Sequence, residues 1–259
     1  MSLIVTWLVL GAGAAPTVDP PCPPFSSGGR PVLRDDRLQK GTRQLCFSAF
    51  GVLHSSVTKS PLYSAELLTR ESARRAMAFD SRDNRFHPEP RLRPQDRADL
   101  TDYAGSGFDR GHMAPSGDMT RLEDDYDSFS LANMVPQAGG LNRSGWAALE
   151  SYVRSLAVTF GTVHVVTGPA YKGASLRVLN RRVLVPSHVW KAVFVPGQGA
   201  GAWIATNEDA SRWDVVSIET LSERTGVDPF PDLPIAIRGR VPAFPVFGVG
   251  EGSSPGRQK

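Results

Sequence analysis

Apolar positions recur along this chain with two different periods. From Asn142 to Phe160, the residues Trp146, Leu149, Tyr152, Val153 and Leu156 return at helical spacing, so one face of a helix is buried there, and Gly161 ends it. Short runs rich in β-branched and aromatic residues follow: TVHVVTG from Thr162, RRVLVP from Arg181 with HVWKAVFV from His188, and AWIAT from Ala202. Gly, Pro and Asn punctuate them, which predicts an antiparallel sheet. Upstream, CFSAFGVLHS from Cys46 reads as a strand, and SAELLTRESARRAM from Ser64 has helical character up to Ala78. The polar segment from Asp80 to Gln95 reads as a long loop, a kind of segment that often carries function in compact domains. A last helix is expected around Val215 to Arg224, before DPFPDLP. The pattern predicts an α+β fold, a central antiparallel sheet with flanking helices.

The two ends differ from the middle. MSLIVTWLVLGAGAA has an apolar run from Leu3 to Leu10 and then Ala12-Gly13-Ala14, an A-x-A cleavage pattern, so residues 1–14 read as a signal peptide and the mature chain as periplasmic or secreted. No Lys or Arg precedes the run, and a membrane anchor or a misassigned start are the competing readings. Residues 15–45 form a Pro-rich arm expected to lie over the surface, 46–238 the single folded domain, and 239–259 a Pro/Gly/Ser-rich tail expected to be disordered. The chain has two cysteines, Cys22 and Cys46. Export predicts that they form one disulfide; without export they would be free buried thiols.

Composition narrows the class without naming a function. With 41% hydrophobic and 21% charged residues the chain is an ordinary globular one, neither wholly disordered nor a multi-span membrane protein. The net charge of +3 permits a polyanionic partner without requiring one. Arginine dominates the basic residues, and from Arg70 to Arg97 eight Arg face five Asp or Glu. Taken alone, that density is better explained as a solvated surface.

The densest group of catalytic residue types is GSGFDRGHMAPSGDM, Gly105 to Met119, in which Asp109, Arg110 and His112 lie among small residues that let a ligand approach closely. Downstream, the predicted helix carries Asn142, Glu150 and Arg154. At helical pitch Glu150 lies about 80° and Arg154 about 120° around from Asn142, a shared polar face suited to a hydrated cation beside a phosphate. A solvated face with a Glu150 to Arg154 pair is the bland alternative. Other signals carry less. Ser56-Val57-Thr58-Lys59 has the S-x-x-K form of penicillin-recognising enzymes without their other motifs. The run Glu123-Asp124-Asp125 with Asp127 lacks a calcium-loop pattern and reads as solvated surface. His54, His87, His164 and His188 read as structural.

Taken together, Asp109-Arg110-Gly111-His112 and the Asn142, Trp146, Glu150, Arg154 helix resemble the DNA/RNA non-specific endonuclease family, the ββα-metal nucleases, whose core is D-R-G-H followed by an N-x-x-x-W helix. The resemblance runs from about Phe47 through SLANMVPQ and VVTGP to ERTGVDPFP. It implies a ββα-metal catalytic core, His112 as general base, and Asn142 as the direct protein ligand of Mg²⁺, for which Mn²⁺ can substitute. It also implies that Glu150 fixes metal-bound water and that Arg110 and Arg154 contact the scissile phosphate. Arg85, with Arg82 as the neighbouring choice, would match a further phosphate-binding arginine. Phe108 stands where the family often has Tyr. The implied partners are DNA and RNA, cut to 5′-phosphate and 3′-hydroxyl ends, with no stable membrane association after signal removal and a homodimer left open. Two other readings remain: a metal-dependent phosphodiesterase acting on nucleotides or other phosphodiesters, and a catalytically silent nucleic-acid-binding relative. A partner for the second nitrogen of His112 is expected from a backbone carbonyl or from Asn133.

Overall fold

The computed structural model describes residues 22, 25, 28–79 and 85–247; the expected signal segment, Arg82 and the last twelve residues lie outside the described residues. Its strands are β1 (Val32–Leu33), β2 (Thr42–Cys46), β3 (Phe50–Ser55), β4 (Ser60–Thr69), β5 (Phe108–His112), β6 (Met134–Ala138), β7 (Thr162–Ala170), β8 (Val178–Leu179), β9 (Val183–Leu184), β10 (His188–Val195), β11 (Gly199–Thr206), β12 (Trp213–Val216) and β13 (Val227–Asp228). Its α-helices are α1 (Arg70–Ala78), α2 (Leu100–Tyr103), α3 (Leu122–Ser128), α4 (Gly139–Leu141), α5 (Ala147–Phe160), α6 (Ile218–Thr225) and α7 (Ile235–Arg238). A π-helical turn, Asn142–Trp146, joins α4 to α5 without a break.

Seven strands form one antiparallel sheet in the order β12-β11-β10-β7-β4-β3-β2, as the strand pattern predicts. Alternate residues face opposite sides. Leu68, Val163, Val165, Val189, Val193 and Trp203 pack with Trp146, Leu149 and Val153 of the long helix. Tyr63, Val166, Trp190, Ala202 and Ile204 pack on the other side with Ile218 and Leu221 of α6 and with Phe230. On the side that faces α5, Ser64, Thr167 and Lys191 line up across three strands, since Thr167 is the register partner of both. A polar row thus crosses the middle of an otherwise apolar surface, beneath the segment richest in candidate chemistry.

Several element boundaries differ from the sequence expectation. The stretch from Ser64 is strand up to Thr69, and the helix begins only at Arg70, where Thr69 and Ser72 form a capping box. β4 lies between two neighbours and is buried on both faces, so its apolar run lacks the alternation that separates strand from helix. Likewise Val215 and Val216 end β12, and α6 starts at Ile218 behind the Ser217 cap. RRVLVP supplies only Val183–Leu184 to a small hairpin, β8–β9, apart from the main sheet. The acidic run is not a solvated surface: Asp124 and Asp125 are buried, Asp124 paired with Arg121 and Asp125 accepting from Ser116.

The ordered unit also extends beyond 46–238 at both ends. In the arm, β1 pairs with β13, and Arg34 reaches Asp228, 194 residues away, with two hydrogen bonds. β2 forms the sheet edge. At the other end, residues 240–247 hold no regular element but are not free of the domain. Phe244 stacks on Trp203 at 4.5 Å, the Trp203 indole donates to the Pro245 carbonyl at 2.7 Å, and Phe247 packs near Tyr152 and Trp213. Apolar rings scattered among prolines gave this strap no periodic signal.

Cys22 and Cys46 are joined, as the exported reading predicts, with a sequence separation of 24. Loop closure on that scale is worth roughly 3 kcal/mol. Reducing and alkylating the protein should therefore lower the urea midpoint accordingly, and an unchanged midpoint would mean that the arm adds nothing to stability.

Candidate active site

The site is built on the β5–β6 ladder and the helix that leaves it. Antiparallel pairing sets Asp109 opposite Gln137, Arg110 opposite Pro136 and His112 opposite Met134. Gly111 is required in this ladder, because a Cβ there would lie 2.0 Å from the Gln137 Oε1. From Ala138 the chain runs straight into α4, the π turn and α5, giving a strand-strand-helix unit. The wider turn at Asn142–Trp146 inserts backbone that an α-helix would not accommodate, a distortion that often marks functional sites.

His112 lies edge-on to Phe129, ring centres 4.8 Å apart, and 5.8 Å from Phe86. Its Nε2 is buried and has no hydrogen-bond partner among the described residues. Burial, with the Arg110 charge beside it, pushes its pKa down to about 4, so the imidazole is neutral at pH 7. Asn133 is not its partner. The Asn133 Oδ1 accepts from Ser64 Oγ and the Ala114 amide, while its Nδ2 donates to the Ala114 and Ser128 carbonyls. The amide is fully used in fixing the backbone just after His112.

The depressed pKa carries a sign. The unfolded chain takes up a proton on His112 as pH falls through about 6.5, while the folded chain resists until about 4. Between those values this residue destabilises the fold increasingly as pH falls. In urea melts at pH 7 and pH 5, the H112A variant should therefore lose less stability than the parent chain; an equal loss would mean that His112 is not desolvated.

Asn142 donates its Nδ2 to Asp109 Oδ2 at 3.0 Å, and Arg143 makes two further bonds to the same carboxylate. Burial opposes ionisation of Asp109, yet the bonds from Arg143 and Asn142 hold its pKa below the usual value. A fixed carboxylate on the amide nitrogen sets the orientation of Asn142 and leaves Oδ1, the hard oxygen suited to Mg²⁺, as its remaining group. Among the described residues no three His, Cys, Asp or Glu side chains are grouped to hold an ion. One amide oxygen beside substrate phosphate and water is a donor set that suits Mg²⁺, which keeps much of its hydration. Asn142, Asp109 and Arg110 line a cleft of about 490 Å³ together with Phe86, Tyr103 and Phe108. The Arg110 guanidinium is stacked 4.0 Å over Phe86.

Glu150 and Arg154 sit in a neighbouring buried polar cluster rather than on a solvated face. Arg154 bonds Asp118 at 2.7 Å and Ser151 at 3.0 Å, so its ion pair is with Asp118 and not the helical pair with Glu150 that the alternative reading supposed. Burial pushes Glu150 up to about 7, against the charge of Lys191. Burial, and after it the neighbouring Asp118, raises the Glu66 pKa well above its ordinary value. Lys191 is buried, bonds Thr167 at 2.7 Å, and lies 5.6 Å over Trp146. Arg85 is exposed, its guanidinium 5.3 Å over Tyr126, one residue from the Phe86 that touches both His112 and Arg110.

The structure thus joins His112, Arg110 and Asn142 around one strand-strand-helix unit, sets Arg85 at its margin, and keeps Glu150 and Arg154 in the cluster behind it. Sequence reasoning missed Glu66, Asp118, Lys191 and the two anchoring phenylalanines. A lysine inside the apolar run HVWKAVFV was the one readable sign.

The sequence profile of the DNA/RNA non-specific endonucleases matches residues 30–236. The chain belongs to that family. Among its relatives, nuclease C1 of Cunninghamella echinulata var. echinulata is 40% identical over 162 residues, 56% of this chain and 64% of that protein. Mitochondrial endonuclease G of Bos taurus is 33% identical over 192 residues, 70% of this chain and 64% of that protein. A crystal structure of the EndoG/EndoGI complex superposes with a TM-score of 0.66 at 26% identity, covering 75% of this chain and 88% of that one. The chain spans less than two thirds of the length of the nucleases it matches in sequence.

Proposed function

We propose that this chain hydrolyses phosphodiester bonds in both DNA and RNA with the help of a divalent metal, Mg²⁺, leaving 5′-phosphate and 3′-hydroxyl ends. The observation that carries the reading is the neutral His112, whose buried Nε2 has no partner among the described residues, next to Arg110 and on the same unit as the oriented Asn142. A neutral imidazole takes a proton from the attacking water. Arg110, held flat by Phe86, lends positive charge where the phosphate gains negative charge. Arg85 does so from the margin. Arg154, steadied by Asp118, and Glu150 order the region behind the reacting phosphate. Mg²⁺, held by the Asn142 oxygen and by water that Glu150 fixes, would supply Lewis acidity at the leaving oxygen.

The test is incubation of the purified chain with plasmid DNA and with RNA, in Mg²⁺ and in EDTA. Both polymers should be cut in Mg²⁺ and neither in EDTA; cleavage of RNA alone, with cyclic phosphate ends, would overturn the reading. We also propose export, supported by the apolar run from Leu3 to Leu10 and by the Cys22–Cys46 bond. Mass spectrometry of protein from its native host should find the chain without Met1 and without free thiols.

A further inference from the structure

Residues 172–182 contain Lys172, Arg177, Arg181 and Arg182 and no Asp or Glu. They lead into and form the small β8–β9 hairpin. The hairpin is fixed from below: Asn180 donates to the buried Asp102 at 2.9 Å, and Arg182 donates to the Pro94 and Arg97 carbonyls at 2.8 and 2.9 Å. Arg177 is pinned to the cleft wall. Its guanidinium lies 4.8 Å over Phe108, a residue lining the cleft that holds Arg110 and Asn142, and its Nη2 donates to the Ser106 carbonyl at 3.1 Å. Arg110 and Arg177 are therefore two guanidiniums stacked on two rings, Phe86 and Phe108, of one cleft. A stacked guanidinium keeps its edge donors available and has already lost most of its side-chain freedom.

Arg181 adds an independent observation. The turn of the hairpin has Asn180 at φ 46° and Arg181 at φ 57°, closed by the Arg182 amide on the Leu179 carbonyl at 2.8 Å. This is the backbone of a two-residue mirror turn, in which the second position strongly favours glycine. Here an exposed arginine occupies it, with no hydrogen bond or ion pair among the described residues. Strain kept at an exposed position that makes no contact of its own points to use of the side chain outside the fold.

We propose that Arg177 and Arg181 form an accessory phosphate contact that grips the nucleic-acid strand where it leaves the cleft along the β8–β9 hairpin. The inference rests on the nuclease reading above and adds to it a specificity device. Contacts of this kind recognise the polyanionic backbone and not the base, so they favour long polymers over short phosphodiesters, for DNA and RNA alike.

The experiment uses the full chain and two readouts. In EDTA, anisotropy of a fluorescent single-stranded oligonucleotide gives affinity against salt. In Mg²⁺, kcat/KM is compared on plasmid DNA and on bis(p-nitrophenyl) phosphate. Losing two phosphate contacts should lower the slope of log affinity against log salt by about 1.4 for a single strand in the R177A/R181A variant. Its kcat/KM on plasmid should fall by about tenfold at moderate salt, while the small ester is cleaved at the parental rate. The R177K/R181K variant should recover most of the slope. R181G separates binding from folding: glycine suits the turn, so this variant should melt no lower than the parent and still bind the oligonucleotide more weakly. A parental slope in the double variant, or undiminished binding by R181G, overturns the proposal. A parent chain that binds the oligonucleotide with the arginine-dependent slope but cuts neither substrate would sink the nuclease reading and leave this contact standing.

Discussion

Replacing His112 with alanine is expected to lower kcat on plasmid DNA by about 10² to 10⁴, the usual contribution of a positioned general base. The imidazole sits against Phe86 and Phe129 with a buried Nε2 that has no partner among the described residues, so the substitution removes the proposed proton acceptor and little else that the fold depends on. The backbone after it is held by the Asn133 amide, which the variant leaves intact. Oligonucleotide binding should therefore persist with KM near the parental value, and added imidazole should restore part of the rate. A variant that keeps more than a tenth of parental kcat would remove His112 from the role of base.

The second large effect is expected at Asn142. Its alanine variant should lose about 10² or more in kcat, the scale of a lost electrostatic group aimed at the reacting centre. Because Asp109 already fixes the amide, the conservative change Asp109→Asn is informative as well. It exchanges an acceptor for a group that can donate, frees the Asn142 amide to rotate, and should weaken the response to Mg²⁺ by about tenfold to a hundredfold, with binding to DNA in EDTA unchanged. Rate against Mg²⁺ concentration checks both. Parental titrations in both variants would detach the π turn from the metal.

The main elements were legible because the sheet and the long helix follow strong local periods. Trp146, Leu149 and Val153 do pack as one face, and Gly161 does end the helix, at φ 100°. Legibility failed where burial is two-sided, as at Ser64 to Thr69, since a strand covered on both faces shows no alternation to read. It failed again in the arm and the strap, whose order comes from contacts distant in sequence, Val32 with Asp228 and Phe244 with Trp203. For the site, Asp109, Arg110, His112 and Asn142 stood out because their types are rare together. Asp118 and Glu66 did not, because an acidic residue reads as surface until something shows that it is enclosed. Even the helical face drawn through Asn142, Glu150 and Arg154 assumed one regular pitch, which the π turn breaks.

The pairing of β1 with β13 has a consequence in time. The first and last strands meet only when almost the whole domain exists, and β10, which brings Lys191 under Trp146 of the π turn, lies far downstream of His112. Contacts of such long range form late in folding. A ribosome making this protein therefore carries His112 and Asn142 for many residues of synthesis before the sheet behind them can close. Four of the seven sheet strands, β7, β10, β11 and β12, are thus made after the residues they come to support, and the half-sheet of β2 to β4 has to wait for them.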